Sequence, residues 1–189
     1  IHLLTKEVPN PVTMLDLLKL SLRLHPTVLV PAEMRGKEAL TVQEAGRTGH
    51  TIVSTLHANS ARSAYDRILT MCLEAGTSLS EERLLKNIVE AFPIMLFKMQ
   101  LPDKSRKYME IFEATGVKDG EVAGNTLFKY EVDHYERDEA GRIAKVVGSH
   151  RRVGNISPAL AERLLVNGVE LTEIRRFAGS GYRPEGGWK

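Results

Sequence analysis

At 189 residues, 42% of them hydrophobic, the chain is long enough for one good core or two small ones, and its makeup is that of a globular protein. Its 26 basic and 24 acidic residues nearly cancel to +2, and the short basic segments His150-Arg151-Arg152 and Arg175-Arg176 lack interleaved aromatics, so neither argues for nucleic acid. A lone Cys72 excludes an internal disulfide and a multi-cysteine zinc site and fits a reducing compartment, while no apolar run approaches the roughly 20 residues of a membrane span.

The chain opens at Ile1 without a basic segment ahead of an apolar one, so no signal peptide is read and a piece of a longer protein is expected. Ile1–Leu4 reads as a strand remnant, and the prolines of Val8–Val12 make a loop. Thr13 is a candidate N-cap, with Asp16 three residues on as its capping-box partner. Leucines from Leu15 to Leu24 then fill more than one helix face, which predicts burial on two sides before Pro26 stops the helix. Next come a strand over Val28–Ala32, a helix over Gly36–Gly46 and a strand over Thr51–Leu56. A long helix from Ala61 to Ala75 closes at Gly76, and Ser80 opens another over Glu81–Ala91. Strand and helix alternating in this way argue for a parallel α/β arrangement.

From Phe92 the character changes. Ile94–Leu101 and Lys107–Ala114 read as strands around a Pro-Asp-Lys-Ser turn, and Thr126–Tyr135 with Arg142–Gly148 as a hairpin around Asp138–Gly141. Ser157 and Pro158 open a helix that Asn167-Gly168 ends near Val166. From Gly179 the chain is Gly-rich and polar, the composition of a loose tail. The organisation expected is an α/β part over 1–91, a β-rich part over 92–178 and a flexible tail over 179–189.

Both strands of the first part end in residues suited to phosphate chemistry: Glu33 and Arg35 after one, His57 and Asn59 after the other. In an open parallel sheet, ligands bind beyond the carboxyl ends of the strands, so an acid, an arginine and histidines would share one crevice. A carboxylate there suits the orienting of water, and an arginine either contacts phosphate or braces the acid. A G-x-x-x-x-G-K-[ST] phosphate loop occurs nowhere in the chain.

The segment LRLHP, six residues, then EMRG-KEA resembles the Walker B region of the type II/type IV secretion traffic ATPases, and Thr48-Gly49-His50 through Thr55-Leu56-His57-Ala58-Asn59-Ser60 matches their histidine box without a gap. Beyond Phe92, IFEATGV, LFKY and LLVNGVEL are similar to the tight-adherence, Flp-pilus and conjugation branch. Thr27 stands where that family usually carries Asp, and Pro31-Ala32 replaces its apolar-Gly pair. The resemblance implies a RecA-like P-loop ATPase core, here its C-terminal part, followed by a small β-hairpin appendage. It implies Glu33, His57 and His50 as catalytic residues and Arg35, Arg23, Thr55 and Asn59 as nucleotide-binding ones, with ATP and Mg²⁺ as cofactors. It also implies a homo-hexameric motor, cytoplasmic and peripheral at the inner membrane, that binds a polytopic platform protein to drive secretion or pilus assembly. Without the phosphate loop, these residues alone are expected to be inactive. A non-catalytic interaction module that retains the ATPase shell is the alternative, resting on the missing loop and on Pro31-Ala32.

Overall fold

The computed structural model describes residues 1–184. Residues 185–189, part of the expected tail, lie outside the described residues. Thr13 caps α1 (Met14–Leu22) as expected: its side chain accepts from the Asp16 amide while Asp16 reaches back to the Thr13 amide. The expected burial of α1 on two sides is not found, because Leu18 alone is buried and Leu20 and Leu24 stay about half exposed. Ile1–Leu4 form no strand; an isolated antiparallel bridge joins Lys6 and Val12 just beyond them.

β1 (Val28–Leu29) and β2 (Thr51–Ile52) pair in parallel, Val28 with Thr51 and Leu29 with Ile52. Both are shorter than the expected Val28–Ala32 and Thr51–Leu56. The ladder ends where the Val53 amide donates to the Leu29 carbonyl, because the next amide needed from β1 belongs to Pro31, which has none. Beyond that point the chains stay together through hydroxyls: Ser54 Oγ donates to the Pro31 carbonyl (2.6 Å) and Thr55 Oγ1 to the Ala32 carbonyl (2.7 Å). The parallel sheet is therefore two strands, flanked by helices, and the architecture is mixed α/β.

Between the strands runs α2 (Glu38–Arg47), and after them α3 (Ala61–Glu74) and α4 (Glu81–Ala91), both within a residue of expectation. α3 buries Ala61, Ala64, Tyr65, Ile68, Met71 and Cys72, the three-and-four spacing of one helix face. Against it lies α4 with Leu84, Leu85 and Ile88, all at most 2% exposed. Tyr65, fully buried, satisfies its hydroxyl on the Phe92 carbonyl (2.8 Å). α2 approaches α4 closely at Gly46, where a Cβ would lie 3.1 Å from that of Ala91.

The rest is an antiparallel meander in the order β3 (Ile94–Gln100), β4 (Arg106–Lys118), β5 (Glu121–Arg137), β6 (Ile143–Arg152). β4 and β5 are longer than expected and meet at Asp119-Gly120, both at positive φ (53° and 80°). That Asp-Gly pair is a strong two-residue hairpin signal, and it starts β5 at Glu121 rather than at the expected Thr126. Leu101, Tyr130 and Val146 form a small core on this sheet, and Asp103 ties its turn to β6 by accepting from the Val146 amide (2.8 Å). The buried Glu113 carboxylate accepts from the amide (2.8 Å) and hydroxyl of Ser157. It thereby fixes the start of α5 (Pro158–Val166), whose cap is Ser157. α6 (Leu171–Ala178), an element with no sequence expectation, packs on α5 through buried Ile174.

The chain divides into two compact units. One comprises residues 1–93 and the hairpin tip 116–122, which Arg62 of α3 holds through the Val122 carbonyl (2.8 Å). The other comprises the rest of the meander with α5 and α6. Among the described residues no helix is long and apolar enough to cross a membrane.

Candidate active site

The sequence E-M-R folds around its middle residue. Met34 is 3% exposed, and its amide donates to the Thr55 carbonyl (2.8 Å), so the turn after β1 is anchored to the segment after β2. With Met34 pointing inward, Glu33 and Arg35 project to the other side and meet: Arg35 Nη2 donates to Glu33 Oε2 at 2.6 Å. His57, arriving from the β2 side, places Nε2 3.3 Å from the other carboxylate oxygen, Oε1. The Glu33 side chain is 24% exposed, while Arg35 and His57 are 77% and 96% exposed, so the cluster faces solvent across its two nitrogen bases.

Electrostatics follow from that geometry. The hydrogen bond from Arg35 holds the Glu33 carboxyl below its ordinary 4.5; partial desolvation opposes this, and the charges of Arg35 and of His57 add to it. Arg35 is reciprocally held more firmly protonated. Glu33 is thus an ionised carboxylate with each oxygen facing a nitrogen group. Such a carboxylate can accept a proton from water or hold a water by hydrogen bond once one of its partners turns away.

The remaining histidine-box residues divide. Thr55 stands beside the cluster but spends its hydroxyl on the Ala32 carbonyl. Ser60 caps α3, its oxygen accepting from the Ser63 amide (3.0 Å) while Ser63 Oγ accepts from the Ser60 amide (2.9 Å). Thr48-Gly49-His50 ends α2: Thr48 Oγ1 donates to the Glu44 carbonyl, Gly49 takes φ 99°, and the His50 amide closes on the Ala45 carbonyl at 3.3 Å. That six-to-one bond is the Schellman way of stopping a helix, and it requires glycine where Gly49 stands. His50 keeps a buried Nδ1 with no hydrogen bond among the described residues. Among those residues no ion pair or hydrogen bond joins the side chains of His50, Arg23 or Asn59 to Glu33, so the structure brings together Glu33, Arg35, His57 and Thr55 only.

The residues present fit a nucleotide in part. Arg35 and His57 are exposed cationic or hydrogen-bonding groups beside an ionised acid, a donor set suited to phosphate oxygens. Among the described residues no group of three or more His, Cys, Asp or Glu side chains gathers to hold a metal. A cavity of about 750 Å³ in the second unit, lined by residues such as Asn125, Thr126, Asn155 and Ser157, contains none of these site residues.

Comparison with known proteins points the same way. The conjugal transfer protein TrbB of Rhizobium radiobacter is 29% identical over 131 residues, 69% of this chain and 36% of TrbB. The competence protein ComGA of Streptococcus pneumoniae is 43% identical over 70 residues, 36% of this chain and 20% of ComGA. The type IV secretion system protein PtlH of Bordetella pertussis is 42% identical over 60 residues, 31% of this chain and 18% of PtlH. Among solved structures, the VirB11 ATPase from the Brucella suis type IV secretion system, in complex with sulphate, is similar with a TM-score of 0.52 and 25% identity, over 54% of this chain and 32% of that one. This chain therefore spans about a third of the length of TrbB and less of the other two curated relatives. Residues 5–108, more than half of the chain and all of the site just described, match the family described as "Type II/IV secretion system protein", and the chain belongs to that family.

Proposed function

We propose that this chain is part of an ATP-hydrolysing motor for secretion, conjugation or pilus assembly, and that its first unit carries the Walker B and histidine-box half of the nucleotide site. The observation that carries this is the Glu33 carboxylate, ionised and held by Arg35 and His57 beyond the carboxyl ends of a parallel strand pair. On this reading residues 1–91 are a partial RecA-like core, 92–178 a separate C-terminal subdomain and 179–189 a tail. The motor is a homo-hexamer at the cytoplasmic face of the inner membrane, where it engages a polytopic platform protein; support comes from the family and from the VirB11 likeness.

ATP with Mg²⁺, when bound, supplies the phosphoryl group to be transferred to water and a metal charge on its oxygens. Glu33 orients the attacking water and takes up its proton. Arg35, whose exposed guanidinium is held by Glu33, swings to phosphate oxygens and thereby frees Glu33 Oε2. His57 hydrogen-bonds the developing charge, with Thr55 holding the strand end in register. His50, Arg23 and Asn59 act from further out, on bound nucleotide or across a subunit seam. The phosphate cradle comes from outside these 189 residues, which contain no Gly-rich loop with its lysine.

The test is Glu33→Gln in the whole gene product. Hydrolysis is lost while nucleotide binding is largely kept; turnover at the wild-type rate would show Glu33 to be misassigned. A titration of the 189-residue chain with ATP·Mg²⁺ gives weak binding or none, and micromolar binding would overturn the reading that the cradle lies elsewhere.

A further inference from the structure

We infer that Glu38 is a positioning residue for the Glu33–Arg35 pair. Glu38 is the first residue of α2, whose cap position, Lys37, offers no side-chain bond to the helix. An acid in this first turn usually serves its own helix, accepting from the orphan amides or meeting the dipole. Glu38 turns the other way. A single oxygen, Oε1, accepts from the backbone amides of Arg35 (2.6 Å) and Gly36 (3.0 Å), the two residues that lead into the helix.

That contact decides where the Arg35 guanidinium can be. Its side chain is 77% exposed, so packing does not hold it. What remains is its backbone, pinned on one side by the Met34 amide on the Thr55 carbonyl and on the other by Glu38. With both pins in place the guanidinium reaches back to Glu33 Oε2 at 2.6 Å. Without Glu38 the Arg35 and Gly36 amides lose their acceptor, residues 35–37 are released from the helix start, and the short bond to Glu33 loses its geometry. Glu38 is thus a partner of the Arg35 main chain rather than of an arginine side chain.

The inference rests on Glu33 being the reacting carboxylate, but its test needs no turnover. With ¹³C-labelled glutamate in the 189-residue chain, the Glu33 carboxyl is titrated in wild type, Glu38→Ala, Glu38→Gln and Glu38→Asp, with fold checked by amide spectra. Arg35 and His57 are the charged groups that face it. In Glu38→Ala the Glu33 titration moves up toward the ordinary value, and the Arg35 and Gly36 amides exchange at least about tenfold faster. Glu38→Gln, which keeps a side-chain carbonyl for both amides, behaves as wild type. Glu38→Asp, one methylene short yet well suited to a helix start, behaves as Glu38→Ala and covers the case in which the alanine variant does not fold. A Glu33 titration unchanged in Glu38→Ala or Glu38→Asp, while Arg35→Ala shifts it, would overturn the inference. Full hydrolysis in Glu33→Gln beside the expected titrations would fail the functional reading alone.

Discussion

Thr55 donates its hydroxyl to the carbonyl of Ala32 at 2.7 Å, across the gap where Pro31 has broken the parallel ladder. With Ser54 bonded to the Pro31 carbonyl, two side chains take over the pairing that the main chain cannot make. Pro31 thus removes one donor without releasing the segment that ends in Glu33, which weakens one of the two sequence arguments for a module without catalysis. Thr55→Val keeps the shape and deletes the donor. We expect a loss of about 1 kcal/mol in urea unfolding, the net worth of one such bond, and little loss for Thr55→Ser. An unchanged midpoint for Thr55→Val would show that the hydroxyl zipper contributes nothing.

The Glu33 titration has a defined sign. Its folded pKa lies below the ordinary 4.5, with the Arg35 hydrogen bond as the largest cause and the His57 charge as the smallest. A group depressed in this way contributes stability above its unfolded pKa and loses it as pH falls through the folded value. Arg35→Ala is expected to bring the Glu33 titration most of the way back, and His57→Ala to move it less. Carboxyl ¹³C shifts followed from pH 7 downward measure both, and a larger effect from His57→Ala would reverse the assigned order.

The helical part was legible because local rules and packing agreed. Thr13, Ser60, Ser80 and Ser157 all sit where the chain switches from extended to helical, and each caps its helix. Strand lengths were not legible in the same way. β1 stops at Leu29 because of a single missing amide, while β4 extends to Lys118 and β5 begins at Glu121, on either side of the turn pair Asp119-Gly120. At the site, the acid, the arginine and His57 could be read from their order after two strands. What Glu38 and Ser54 bind could not, since each acts through a main-chain group whose position only the fold determines.

Two glycines of the meander make a paired test. A Cβ at Gly124 would fall 2.0 Å from the Glu113 carbonyl oxygen and 2.5 Å from the Phe112 ring, whereas one at Gly116 meets nothing within 4 Å. Backbone and a buried aromatic must shift for the first, so Gly124→Ala is expected to cost about 1–3 kcal/mol as an overpacked site. Gly116→Ala, in open space and extended backbone, stays near neutral or gains slightly through a less flexible unfolded chain. Equal midpoints in urea for the two variants would contradict the packing seen between β4 and β5.

Cys72 gives a reporter of unfolding and a prediction at high pH. It is fully buried on α3, and burial, with a smaller push from the Glu44 charge, raises its thiol from an ordinary 9.0 to about 12. At pH 8 the folded chain therefore presents almost no thiolate, and a thiol reagent such as an aromatic disulfide reacts only as fast as the region opens. Adding denaturant through the unfolding midpoint is expected to release one equivalent of reaction. The sign for stability follows: the raised folded pKa contributes fully below the unfolded value and is lost as pH climbs from about 9 toward 12. Cys72→Ala removes that dependence while costing packing at neutral pH, so the stability gap between it and wild type should narrow between pH 9 and pH 11. A native thiol that reacts within seconds at pH 8, or a gap that stays constant with pH, would mean that α3 does not bury Cys72 in solution.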